Sequence, residues 1–159
     1  MASKPIVIKP EPVVVRISPL GFHRYASEFL HAARSVRVGP SFSPVPYYLY
    51  CRSLELVLKA FLLTKDVSVR ELKSRNLGHD LVKVLDRAKT LGVKQLLTVT
   101  SAHEKELVKA NNYYASKGFE YFEVMKAVHG YPELPEVSVL AELASHLLAA
   151  LEPVCLNAT

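Results

Sequence analysis

The chain has 159 residues, half of them hydrophobic and 22% charged, a balance that fits one folded domain and excludes a disordered or low-complexity chain. Its formal net charge is +5 and its pI is about 9.2; this permits an anionic partner without demanding one, because Lys and Arg are spread along the chain. The longest charge-free run, Val38 to Cys51, is broken by Pro40, Pro44 and Pro46 and is shorter than the about 20 apolar residues that span a bilayer. The N-terminus, Met1-Ala-Ser-Lys-Pro, lacks the apolar stretch of a signal peptide. A cytoplasmic chain with no membrane segment is therefore expected.

Proline and glycine place most boundaries. No proline falls between Tyr47 and Tyr131, which suits helices there. Residues 1–17, with Pro5, Pro10 and Pro12, read as an extended arm ahead of a helical-bundle domain over 18–159. The first helix is predicted from Ser18, a good N-cap with Pro19 behind it, to Val36, with Phe22, Ala26, Phe29 and Ala33 on one stripe. The second runs from about Pro44 to Lys65. Its centre, Leu54 to Leu63, is apolar nearly all round, so it is buried on most sides, and its polar residues Arg52, Glu55 and Lys59 share one narrow stripe.

A short third helix, Ser68 to Arg75, opens with a capping box at Ser68 and Glu71. The fourth is predicted over His79–Leu91 with Leu81, Val84, Leu85 and Ala88 facing in. The fifth starts near Thr100 with a capping box at Ser101 and Glu104, and buries Leu107, Ala110 and Tyr114. Phe119 to Tyr131 is ambiguous between an extended segment and a helical turn. The last helix spans about Pro135 to Cys155 and buries Leu140, Leu143, Leu147, Leu151 and Val154. Four long helices, one or two short ones and short loops predict an all-α, antiparallel up-and-down bundle.

Four groups of residues carry candidate chemistry. Glu55 and Lys59, at i and i+4, form either an ion pair fixing helix packing or dimer register, or the polar floor of a ligand groove, with Arg52 beside them. His79 is either a structural donor, to a carbonyl or to Glu55, or a general base; Asp80 caps the fourth helix. Arg70, Lys73, Arg75, Lys83 and Arg87 gather around the third and fourth helices as a phosphate-holding patch or a solvated face. Tyr47, Tyr48, Tyr50, Tyr113, Tyr114 and Tyr121 are core or interface residues, with nucleobase stacking the lesser alternative. Cys51 and Cys155 read as free buried thiols. No metal site and no cofactor is expected, and no phosphate-binding glycine loop or nucleophile elbow is present.

The run Tyr48-Leu-Tyr-Cys-Arg-Ser-Leu-Glu-Leu-Val-Leu-Lys-Ala-Phe-Leu-Leu63, followed by Gly78-His-Asp-Leu81, resembles the HEPN family, whose sequences often carry "ELxLKA" on one helix and "HDL" opening the next. Asn112-Tyr-Tyr114 and Phe119-Glu-Tyr121 are similar to the tyrosine-rich end of such domains. The resemblance covers about residues 20–155. It implies an up-and-down bundle, a homodimer, and a setting of RNA cleavage, toxin–antitoxin or defence systems with nucleotidyltransferase partners. Ribonuclease members carry Arg, four to six residues, then His on a late helix. Here the last helix has His146 and no arginine; Arg24–His31 and Arg16–His23 have the spacing but lie on or before the first helix, and Arg75–His79 is one residue too close.

The expectation is an HEPN-like homodimer that binds RNA or a nucleotide. Any catalysis centres on His79 and Arg75, and ligand binding on Glu55, Lys59, Arg52, Asp80, Lys83 and Arg87. The alternative is a non-catalytic helical interaction module; a metal-independent hydrolase rests on His79 alone.

Overall fold

Ten consecutive residues of the second helix, Ser53 to Leu62, are buried, so this helix has protein on every side. The computed structural model describes residues 17–37, 39, 42–121 and 130–158; of the expected arm over 1–17 only Ile17 is among them. Among the described residues every regular element is helical: α1 (Pro19–Ser35), α2 (Val45–Leu63), α3 (Val69–Leu72), α4 (Leu81–Thr90), a 3₁₀ turn (Val93–Gln95), α5 (Ser101–Tyr114) and α6 (Val137–Asn157). Helix α2 packs against α1, α4, α5 and α6, which is what an apolar circumference requires.

The amphipathic stripes supply the rest of the core. Ser18 caps α1, its hydroxyl accepting from Gly21 N–H at 3.1 Å, with Pro19 as first helical residue. Ala26, Leu30 and Ala33 are buried against α2 and α6, while Phe22 and Phe29 pack at the margin. Leu81, Val84, Leu85 and Ala88 of α4 and Leu107, Ala110 and Tyr114 of α5 face inward as predicted, as do Leu140, Leu143, Leu147 and Leu151 of α6; Val154 is only half-buried. Cys51 and Cys155 are free and buried. Burial, helped by the nearby Glu55 charge, pushes the Cys51 thiol up, and burial raises Cys155 to about 11, so both stay protonated.

Several boundaries differ from the predicted ones. Helix α3 is one turn, because beyond it the chain passes into tighter turns, with Ser74 N–H donating to Glu71 O at 3.0 Å and Leu77 N–H to Ser74 O at 3.2 Å. At its start Ser68 supplies only the first half of a capping box, accepting from Glu71 N–H at 3.2 Å, while the Glu71 side chain turns to Arg87. His79 lies outside α4, whose N-cap is Asp80. On α5 the capping box is formed by Thr100 and His103, not by Ser101 and Glu104: Thr100 Oγ1 accepts from His103 N–H at 3.2 Å, and His103 Nδ1 accepts from Thr100 N–H at 3.3 Å. Glu104 instead reaches Lys89 at 2.9 Å. Phe119 and Glu120 form a turn rather than an extended strand, and 122–129 lie outside the described residues.

Helix α6 runs through Pro153 to Asn157 and, among the described residues, is long and apolar enough to cross a membrane by length and composition. A criterion of charge-free runs passes over it because Glu142 and Glu152 interrupt it. In this fold it packs against α1, α2 and α5.

Candidate functional site

The predicted polar stripe of α2 becomes a buried cluster centred on Glu55, whose side chain is 1% exposed. Four donors converge on its carboxylate. Lys59 Nζ donates to Oε1 at 2.6 Å. Arg52 Nη1 and His79 Nδ1 each approach Oε2 at 3.1 Å, and the Tyr114 hydroxyl donates to the same oxygen. Three of these partners share Oε2 and Lys59 takes Oε1, so both oxygens of the buried carboxylate are engaged. Lys59 also donates to the Gly78 carbonyl at 2.5 Å. Among the described residues no buried side-chain nitrogen or oxygen lacks a partner, as a stable buried polar network requires.

Backbone geometry places these groups. Arg52, Glu55 and Lys59 are three and four residues apart and therefore adjacent on α2. Gly78 has φ +44°, and a Cβ there would approach Ser74 O at 3.3 Å. Glycine thus lets the turn between α3 and α4 present its carbonyl to Lys59 and hand His79 to Glu55. Asp80 then fixes α4, its Oδ1 accepting from Lys83 N–H and from Asn111 Nδ2, each at 3.1 Å. Asn111 Oδ1 accepts from Leu81 N–H at 2.7 Å, tying α5 to the same turn.

The cluster shifts its own proton equilibria. Burial opposes ionisation of Glu55, but Lys59, Tyr114 and Arg52 outweigh it and hold the carboxyl below its ordinary value. Burial first, and then the Glu55 charge, drive the Tyr114 hydroxyl well above the usual tyrosine range, so Tyr114 serves as a donor and not as a base. His79 is arranged differently: its side chain is 55% exposed while Nδ1 faces the carboxylate. With Nδ1–H donating, the neutral ring keeps a lone pair on Nε2, an orientation by a buried acid suited to proton transfer.

A cleft of about 250 Å³ opens over the cluster, lined by Phe22, Arg52, Glu55, Leu56, Lys59, Val69, Leu72, Lys73 and His79. Among its charged groups Arg52, Lys59 and Lys73 outnumber Glu55. Lys73 is exposed and has no acidic partner among the described residues. A second, largely apolar cleft of about 270 Å³ adjoins it, sharing Phe22, Arg52 and Leu56 and extending to Ile17, Tyr25 and Phe29.

The other predicted site residues do not join this cleft. Arg75 is exposed and makes no hydrogen bond or ion pair among the described residues. Lys83 and Arg87 lie on the surface, paired with Asp80 at 3.4 Å and Glu71 at 3.5 Å. Of the two arginine–histidine spacings on or before α1, Arg24 and His31 are exposed, His23 is buried with Nε2 at 2.8 Å from the Leu148 carbonyl, and Arg16 lies outside the described residues. The tyrosines divide: Tyr47 and Tyr113 pack with Phe119, Tyr48 stands beside Tyr114, Tyr50 is core, and Tyr121 is exposed. Sequence reasoning grouped Tyr114 with the core or interface tyrosines and Lys73 with a basic patch, assigned neither to the Glu55 cluster, and gave Gly78 no role. The available signal for Tyr114 was a hydroxyl on the inward face of α5, which needs a partner once buried. The chain matches no protein-family model, no curated protein and no solved structure.

Proposed function

We propose that this chain is an HEPN-like protein, an antiparallel up-and-down bundle working as a homodimer, that binds RNA or a nucleotide in the cleft above Glu55. The observation that carries the reading is the cationic excess of that cleft, with Lys73 unpaired among the described residues at its edge. The Arg52 guanidinium has more N–H groups than Glu55 uses, leaving donors for a phosphate, and the Glu55 carboxylate holds the cations in place rather than cancelling them. His79 is the group positioned for acid–base work if bound RNA is cut. A nucleotidyltransferase is the kind of partner the family resemblance implies.

The test is fluorescence anisotropy with a labelled single-stranded RNA and, in parallel, a labelled adenine nucleotide. Saturable binding to one of them that weakens steeply with salt, and roughly tenfold or more on Lys73→Glu, is expected. Absence of binding to both at low salt overturns the reading. RNA cleavage that His79→Ala abolishes adds catalysis; binding with no cleavage leaves a binding protein.

The apolar cleft favours a second reading, a non-catalytic interaction module. Ile17 is 54% exposed and Tyr25 44% at its rim, more than isolated surface apolar residues require. Light scattering decides the dimer: a single species at 17.7 kDa removes it.

A further inference from the structure

We infer that His103, Glu142 and His146 form a site for a divalent cation of the zinc type, joining the start of α5 to the middle of α6. One ligand atom from each residue lies within 4.8 Å of the other two. His103 Nε2 is 3.6 Å from Glu142 Oε1, and His146 Nδ1 is 4.0 Å from the same oxygen. The imidazole rings of His103 and His146 meet edge to face, with centroids 6.3 Å apart. Bonds of about 2.0–2.2 Å in a tetrahedral site put neighbouring ligand atoms roughly 3.3 Å apart, so small movements close the set.

The helices supply those movements in an unequal way. His103 is 4% exposed at the third position of α5, so packing on every side of its ring makes it the fixed ligand. Glu142 and His146 are one turn apart on α6 and both 55% exposed; a change of rotamer brings either inward. Two imidazoles and one carboxylate suit zinc and its neighbours in preference to magnesium or calcium, and leave a fourth position for water. This site is separate from the Glu55 cleft and does not depend on what that cleft binds.

The capping box adds a signature. His103 Nδ1 accepts from Thr100 N–H, so the neutral ring carries its proton on Nε2. A metal on Nε2 needs that lone pair. The ring proton therefore leaves Nε2 through solvent and another arrives on Nδ1, with no net release, and Thr100 N–H loses its acceptor.

The experiment uses the full chain without an affinity tag, titrated with Zn²⁺ against a chromophoric chelator. One equivalent of zinc should be taken up. His146→Ala and Glu142→Ala should each weaken uptake by about 100-fold or more, since even a partner outside the coordination shell is worth roughly 10–100-fold. His31→Ala, an exposed histidine on α1, should leave uptake unchanged. Nitrogen-15 spectra should show the His103 ring proton pass from Nε2 to Nδ1 on loading. Metal-free melting temperatures close to wild type show that the α6 variants still fold. No uptake, or uptake that survives His146→Ala, overturns the site.

Discussion

Glu55–Lys59 on α2 and Asp80–Lys83 at the start of α4 are ion pairs between residues four and three apart, at 2.6 and 3.4 Å. Their surroundings differ. The first pair is 1% and 7% exposed, the second 25% and 55%. In the interior a charge left alone is costly, so the α2 carboxylate is met by four donors from three parts of the chain. At the surface water does most of that work, and an ion pair contributes about 0–1 kcal/mol. The buried pair is therefore an organising centre that fixes a turn, a histidine and a tyrosine, while the surface pair leaves its cation largely available to other partners. Sequence spacing alone cannot separate the two.

The sharpest way to break this contrast is Glu55→Ala. It strands Lys59 and Tyr114 in the interior, and a loss of about 3–5 kcal/mol in urea unfolding is expected. Adding Lys59→Met should recover a large part of it, because the orphan charge goes too. An equal loss in the double variant would show that packing, not charge, is at stake.

The same carboxylate sets an acid limb whose depth cannot exceed that loss. Its folded-state pKa lies below the ordinary 4.5. Its contribution is therefore complete above 4.5 and fades as pH falls below 4.5 through the lower folded value. Unfolding of wild type and Glu55→Gln followed from about pH 6 to about pH 3 should show the gap between them narrowing only in that acid range. A gap that is constant with pH would contradict the assignment.

Tyr114→Phe removes one of the four donors and keeps the ring. About 1–3 kcal/mol should be lost, with His79 and Lys59 still in place; chemical-denaturation midpoints with unchanged slope would confirm a local effect. Smallest of all, Lys83→Glu with Arg87→Glu should alter stability by about 0.5 kcal/mol or less per site. If this pair destabilised the chain as much as Tyr114→Phe, the distinction between interior and surface would fail.

The parts of the site visible in the sequence were those local in it. Arg52, Glu55 and Lys59 could be placed together because a helix brings residues three and four apart onto one face, and the apolar residues around them signalled burial. His79 was legible as a donor to Glu55 only as one option among several. Tyr114, 59 residues from Glu55, could be read as buried on α5, but nothing local in the sequence named the partner of its hydroxyl. The basic residues around α3 and α4 looked like one patch, yet Lys73 lines the cleft while Lys83 and Arg87 face acids outside it. The capping of α5 was read one residue late because the common Ser-x-x-Glu pattern overlaps a Thr-x-x-His that makes the same bonds.

By itself the sequence determined which segments are helical, which faces they bury and that α2 runs through the middle, since hydrophobic periodicity and capping are properties of neighbouring residues. Only the tertiary structure decided which donors meet at Glu55, which cations border the cleft, and that His103 comes to stand beside Glu142 and His146. Those are contacts between helices distant in the chain, fixed by how the buried faces pack together, and no local spacing encodes them.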